Sequence, residues 1–168
     1  MPAKNQRELA EKRFGTLSIP QLTEVQAAWL AALVDGEGTI GIWRSRRSDG
    51  GAVWHYTGVM QVSNTCAELL AHASNILEGC CWKITVRNTK NVKLKHHKPL
   101  YRLDLSRRAV PYIVEQILPF LIVKKEQAKL LLKYYHVVHN APLSTSEDHE
   151  MFEHFYLEMR ALNARGSP

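Results

Sequence analysis

A chain of 168 residues is long enough for one domain with a proper core, and its 45% hydrophobic content excludes disorder as the default. Its apolar runs fall far short of the roughly twenty residues that span a bilayer, so no membrane partner is expected. The net charge of +6 is unevenly placed: nine Lys/Arg and one acid, Asp104, lie between residues 83 and 108, which leaves the rest of the chain slightly acidic. Polyanion-binding surfaces concentrate charge in this way, although a solvated basic loop does so too.

Residues 1–20 contain Glu8 and Glu11 and no apolar stretch, so a leader or docking arm is expected there and not a secretory signal. Residues 21–168 are expected to form a single domain. Of the three cysteines, two are adjacent at Cys80 and Cys81, which suits neither a disulfide framework nor a CxxC knuckle. A reducing intracellular setting follows, with an organelle and a microbial cytoplasm equally compatible.

The first helix begins near Thr23 or Glu24, runs through Asp35 and stops at Gly36-Glu37-Gly38, where two glycines let the backbone turn. Residues 39–44 alternate as a strand, with Ile40 and Ile42 on one face and Thr39, Gly41 and Trp43 on the other. Asp49-Gly50-Gly51 marks a hairpin loop over residues 45–51. The second strand, residues 53–63, turns Tyr56, Met60 and Val62 inward and His55, Thr57, Val59 and Gln61 outward. Thr65 and Glu68 have the spacing of a capping box and open a helix with Leu69, Leu70, Ala73, Ile76 and Leu77 on its apolar face.

A third strand, residues 82–88, hides Trp82, Ile84 and Val86 and shows Lys83, Thr85 and Arg87. Beyond a basic loop with Lys93, Lys95, His96, His97 and Lys98, a fourth strand over residues 100–105 hides Tyr101, Leu103 and Leu105 and shows Arg102 and Asp104. Pro111 suits the first turn of a helix that Pro119 ends; two more helices run from Lys124 to about His139 and from about Glu147 to Leu162. The order αββαββα occurs once, and it predicts an α+β layer: a four-stranded antiparallel sheet backed by helices, with two C-terminal helices added. The outward side chains form a polar, partly basic ribbon of a width that enters the DNA major groove. Taken alone, that alternation is equally what any solvated sheet face shows.

The nonapeptide Leu30-Ala31-Ala32-Leu33-Val34-Asp35-Gly36-Glu37-Gly38 resembles the LAGLIDADG motif of the homing endonucleases and related maturases. It departs by Ala32 for the first Gly, Val34 for Ile, Gly36 for Ala and Glu37 for the second Asp. The element order extends the resemblance over about residues 24–140, and Pro119-Phe120-Leu121 ahead of Lys124, Lys125 and Gln127 resembles the single-motif, homodimeric I-CreI-like subfamily. On a helix, Ala28, Ala31, Ala32 and Asp35 make a small stripe beside the bulky Leu30, Leu33 and Val34, and small side chains let two helices approach closely. The resemblance implies that two such helices pair about a twofold axis and bring Glu37 next to its symmetry mate. Paired carboxylates repel unless cations lie between them, so Glu37 with the Gly36 carbonyl is expected to hold Mg²⁺.

The implied LAGLIDADG saddle is a homodimer that makes double-strand breaks in a long, pseudo-palindromic DNA target, as the endonuclease of a mobile intron does. Roughly two or three Mg²⁺ ions would be shared by the dimer, with Mn²⁺ or Ca²⁺ able to substitute for binding. The resemblance assigns catalysis to Glu37, to Asn64 for ordering water and to Lys124 facing the scissile phosphate. DNA contacts are expected from Thr39, Trp43, Arg44, Arg46, Arg47, His55, Thr57, Gln61, Lys83, Thr85, Arg87, Lys93, Lys95 and Arg102. The family's pattern has a basic residue where this chain has Glu68. Two rival readings use the same fold: an intron RNA maturase, and a DNA-binding regulator that does not cleave. His136 and His139 lie three apart near a helix end, but no third ligand has suitable spacing.

Overall fold

The computed structural model describes residues 19–46, 54–87, 99–140 and 146–164. Helix α1 spans Glu24–Glu37 and opens on a capping box. Gln26 donates its backbone N–H to Thr23 Oγ1 at 3.3 Å, and Thr23 donates its own to Gln26 Oε1 at 2.9 Å. At the other end the Gly38 N–H donates to the Val34 carbonyl. A Cβ on Gly38 would lie 2.7 Å from both the Cα and the O of Val34. Only glycine lets the chain leave the helix this tightly and pass straight into β1, Gly38–Arg46. The helix therefore contains Gly36 and Glu37, which the sequence pattern places in the turn.

After β2 (Trp54–Asn64) come α2 (Ala67–Ile76), β3 (Cys81–Arg87) and β4 (Leu100–Leu105). The four strands pair antiparallel in the order β1-β2-β4-β3. Helix α3, Val110–Ile117, carries Pro111 in its first turn and tightens into a 3₁₀ turn at Leu118–Phe120. Helices α4 (Lys125–Asn140) and α5 (Ser146–Ala164) complete an α+β architecture. The core lies between the helices and one sheet face, where Leu30, Val34, Ile40, Met60, Leu70, Leu103, Ile113 and Leu131 are all buried.

Two local expectations give way to stronger competitors. The Thr65/Glu68 capping box does not form, because α2 starts at Ala67 with Cys66 as its N-cap and no side-chain cap bond. Asn64 takes over instead: its Oδ1 accepts the Cys66 N–H at 2.8 Å, an Asx turn that sets the chain one residue past the Thr65 option. Val86, expected inside, is 56% exposed. It lies near the end of β3, which is an edge strand, opposite Tyr101.

Helix α4 is seated on β2 through its aromatic residues. Tyr134 and Tyr135 donate their hydroxyls to the carbonyls of Tyr56 (2.8 Å) and Gly58 (2.9 Å), and burial raises both phenols above their ordinary range. The Tyr135 ring occupies the space where a side chain at residue 58 would stand: a Cβ there would lie 2.4 Å from Tyr135 Cε2 and 2.8 Å from Leu131 Cδ1. Gly58→Ala should therefore lower stability by roughly 1–3 kcal/mol through overpacking, read as a shift of the urea midpoint at constant m-value. An unchanged midpoint would show that α4 does not bear on this strand.

Candidate nucleic-acid interface and metal end

Side chains directly opposite one another in antiparallel strands share a face. Thr39 opposes Gln61, Trp43 opposes Thr57 and Ser45 opposes His55. Gln61 opposes Asp104, which also opposes Lys83, and Arg102 opposes Thr85. These residues define one face of the sheet, on which Trp43, His55 and Thr85 are exposed. Arg102 is held there: its Nε donates to Asp104 Oδ2 at 2.8 Å, and its guanidinium carbon is 5.8 Å from the Trp43 ring centroid. With Thr57, Val59 and Thr85 these three residues line a hollow in the sheet surface. Gln61 Oε1 is buried with no hydrogen-bond partner among the described residues.

Arg44 and Arg46 do not belong to this face. Both continue the even-numbered set of β1 that meets the helices, so their placement removes them from the expected reading surface. Arg44 pairs with Glu153 of α5 at 2.5 Å and stacks on Trp54 and Tyr156, while Arg46 lies 4.5 Å over Trp54. Tyr56 donates to the other Glu153 oxygen. Burial and the Glu153 bond push Tyr56 up to about 12, and the Tyr56 and Arg44 bonds hold the Glu153 carboxyl below its ordinary value. The cluster braces the outer end of the β1–β2 pair against α5. Arg47, Lys93 and Lys95 fall outside the described residues. On β3, Lys83 and Arg87 stand at register positions opposite Asp104 and Leu100.

The candidate metal end lies where α1 stops. Asp35 accepts the backbone N–H groups of Ile122 (2.7 Å) and Lys124 (2.9 Å), and Lys124 Nζ donates to the Asp35 carbonyl at 2.5 Å. Burial raises the Asp35 carboxyl, but the N–H groups of Ile122, Lys124 and Val123 and the Lys124 charge outweigh it, so its pKa lies below the ordinary value. The Lys124 ammonium is thereby fixed on the last turn of α1, two residues from Glu37. Glu37 is exposed and carries no hydrogen bond or ion pair among the described residues. Asn64 ends β2 two residues past Val62, the partner of Gly38, so it comes to the same end of the sheet. Glu68 is exposed in the first turn of α2, its carboxyl lowered by its own backbone N–H and by Cys66; the position carries no positive charge.

The outer side of α1 differs from the predicted small stripe at two residues, Asp35, whose carboxylate turns to the Ile122 and Lys124 N–H groups, and Ala31. Ala28 is half-buried and Ala32 exposed, but Ala31 is fully buried in this chain's own core and has no surface to offer a partner. Gly36 is exposed, and a Cβ there would meet nothing within 4 Å among the described residues. Val25, Ile122 and Val123 add exposed apolar surface, at 79%, 86% and 69%. Ile122 and Val123 escaped the sequence reading, which placed Asp104 on the outward face beside Arg102 but gave it no role. The available signals were two apolar residues directly after a Pro-Phe-Leu turn, and an Arg-x-Asp spacing that puts both charges on one strand face.

Within one chain, among the described residues, no group of three or more His, Cys, Asp or Glu is placed to hold a metal ion. Glu37 and the Gly36 carbonyl are nevertheless hard oxygen donors at an exposed helix end. Mg²⁺ needs few protein ligands when phosphate oxygens and waters fill its remaining positions, so the donor set fits one shared between copies and completed by substrate.

By sequence, the chain matches no protein-family model and no curated protein. By structure it is similar to the homing endonuclease I-CvuI in complex with the I-CreI target, with a TM-score of 0.62 and 22% identity, covering 86% of this chain and 84% of that one. The archaeal intron-encoded homing endonuclease I-Vdi141I, complexed with DNA, also gives 0.62, at 13% identity over 83% and 84% of the two chains. The homing endonuclease I-TnaI gives 0.54 at 16% identity, over 87% and 96%. The fold is that of the LAGLIDADG homing endonucleases. In this LAGLIDADG fold the motif helix runs without a loop into β1, so Glu37 is held one residue before the strand whose Thr39 begins the open face.

The Asp35 clamp has a pH signature. Its folded carboxyl is more acidic than the unfolded one, so its contribution is complete above the unfolded pKa near 4 and fades as pH falls through the folded value. Asp35→Asn should cost about 0.5–2 kcal/mol at neutral pH, the usual range for a lost cap, with the gap to wild type closing below pH 4. Urea titrations at pH 7 and pH 3 check this; a gap of equal size at both would remove the carboxylate's charge from the account.

Proposed function

We propose that this protein is a site-specific DNA endonuclease of the LAGLIDADG type, acting as a homodimer on a pseudo-palindromic duplex with Mg²⁺. The observation that carries the reading is the motif helix. Inside a fold shared over most of both chains, it ends on an exposed carboxylate, unpaired among the described residues, with a lysine clamped to Asp35 two residues before it. I-CvuI has been studied with its own target in the presence of Ca and with the I-CreI target in the presence of Mg, which supports a divalent ion here. Residues 21–168 act as one domain.

Glu37 and the Gly36 carbonyl would hold the ion, which when bound supplies Lewis-acid charge at the scissile phosphate. Lys124, pinned by Asp35, keeps an ammonium beside that phosphate and stabilises charge building on it without having to reorganise. Asn64 spends its Oδ1 on Cys66 and keeps its amide N–H₂ to orient a water. The open face with Trp43, Thr57, Gln61 and Arg102 aligns the duplex, and strand side chains at period two meet successive base edges.

One chain supplies one Glu37, and a double-strand break needs two. The strip made by exposed Val25, half-buried Ala28 and exposed Ala32 and Gly36, flanked by Ile122 and Val123, is the surface on which a second copy packs.

Glu37→Gln preserves shape and removes the charge that holds Mg²⁺. Duplex binding should survive while cleavage falls on the order of 10² to 10⁴-fold, measured by nicking of a duplex pool with Mg²⁺. Near-normal cutting would end the assignment, and a wild type that binds without nicking any duplex would favour the regulator reading. Ala32→Leu puts bulk where the two helices meet. It should weaken the dimer by roughly 1–3 kcal/mol or more per contact, lower the light-scattering mass at micromolar protein, and reduce cleavage of both strands together. A monomeric wild type that cuts both strands would exclude the homodimer.

A further inference from the structure

The open face poses a question that DNA binding alone does not answer. A surface that meets a polyanion carries a carboxylate, Asp104, in its middle, opposite Gln61 on one side and Lys83 on the other. An acid there repels phosphate, so it has no place in a surface that only attracts backbone. What Asp104 does is hold Arg102, its Oδ2 accepting Nε at 2.8 Å, with both side chains about one quarter exposed. A partly exposed pair of this kind contributes little to stability; its effect is on orientation.

With Nε occupied, the guanidinium keeps its two terminal nitrogens for a partner, as a planar fork. Asp104 fixes the rotation of that fork, and the Trp43 ring, 5.8 Å from its central carbon, walls one side. Guanine is the base that offers two acceptors, O6 and N7, side by side at the major-groove edge, and they match such a fork. Adenine puts a donor where O6 would be. The pair is also neutral as a unit, so it adds little to non-specific attraction while retaining directional donors.

We propose that Arg102 is a guanine-reading residue, that Asp104 is its positioning residue, and that the target carries a guanine at the same place in each half-site. This rests on the endonuclease reading of the open face and goes further by naming the base.

The test is selection from a random duplex library with the full chain in Ca²⁺, which is expected to allow binding without cutting. Titrations follow on the selected duplex and on one whose symmetric guanines are replaced. Wild type should select a guanine column in both halves. Arg102→Ala should erase that column and lose roughly 5- to 150-fold in affinity on the guanine site, with little change on the replaced site. Asp104→Ala should move two quantities in opposite directions: guanine preference shrinks, while binding to unrelated duplex tightens because an acid has left the surface.

Equal losses on every duplex for Arg102→Ala would make it a phosphate contact and overturn the proposal. Uniform weakening by Asp104→Ala would reduce Asp104 to a structural support and overturn its positioning role. A wild type that binds and cuts but selects no guanine column overturns the guanine reader alone. A wild type that retains no duplex at all overturns the endonuclease reading together with it.

Discussion

One carboxylate joins two helix ends. Asp35 lies in the last turn of α1, where the helix dipole disfavours a negative charge, yet its pKa is lowered. The compensation comes from the opposite kind of helix end. The backbone N–H groups of Ile122 and Lys124 lead into α4, which begins at Lys125, and they face the carboxylate. Lys124 returns the favour by donating to the Asp35 carbonyl, one of the last four of α1 and so without a partner inside its own helix. Each half of this exchange is worth about 1 kcal/mol. Its larger consequence is geometric, since it fixes the Asp35 carboxylate and the Lys124 ammonium at the end of α1, and prior placement is what makes electrostatic groups effective.

The second constraint is strand alternation. Every residue of β1 and β2 is assigned to a face by parity, and the assignment admits no local exception once Gly58 is locked under Tyr135. Arg44 shows how strictly this applies. A basic residue beside an exposed Trp43 looks like a nucleic-acid contact, but its parity sends it to α5, where Glu153 and Tyr56 meet it. The covered face thus acquires a polar cluster at its outer end, while the open face keeps Trp43, Thr57, Gln61 and Arg102 in one register.

How much could be read in advance follows from these two constraints. Period-two patterns fixed all four strands to within a few residues, and the nonapeptide marked the helix that ends at Glu37, because both signals are local. The outcome at Thr65 was not legible, since Asn64 and Thr65 compete for the same turn and only the strand register decides which side chain reaches Cys66. Ala31 and Ala32 are identical letters one step apart, yet one is buried and the other exposed. A stripe of small residues does not say which of its members face inward until the core is in place. The Asp35 clamp spans 87 and 89 residues, and sequence spacing carries no trace of a contact that long.

The two glycines of the motif make the same distinction in sharper form. Gly38 is closed from within: Val34 occupies the space a side chain would take. Gly36, two residues earlier, has nothing within 4 Å of that space among the described residues, so none of their contacts accounts for the missing side chain. Glycine inside a helix costs about 1 kcal/mol relative to alanine. On the proposed reading that cost is offset across the dimer axis, where the absent Cβ lets a second α1 approach. The exposed Ile122 and Val123 extend the same surface, and Asp35 ties them to it by hydrogen-bonding the Ile122 backbone. The clamp that ties Lys124 to the last turn of α1 would on that reading also set the edge of the interface that brings a second Glu37 into place, so that pairing of the chains and assembly of the metal site would depend on one interaction.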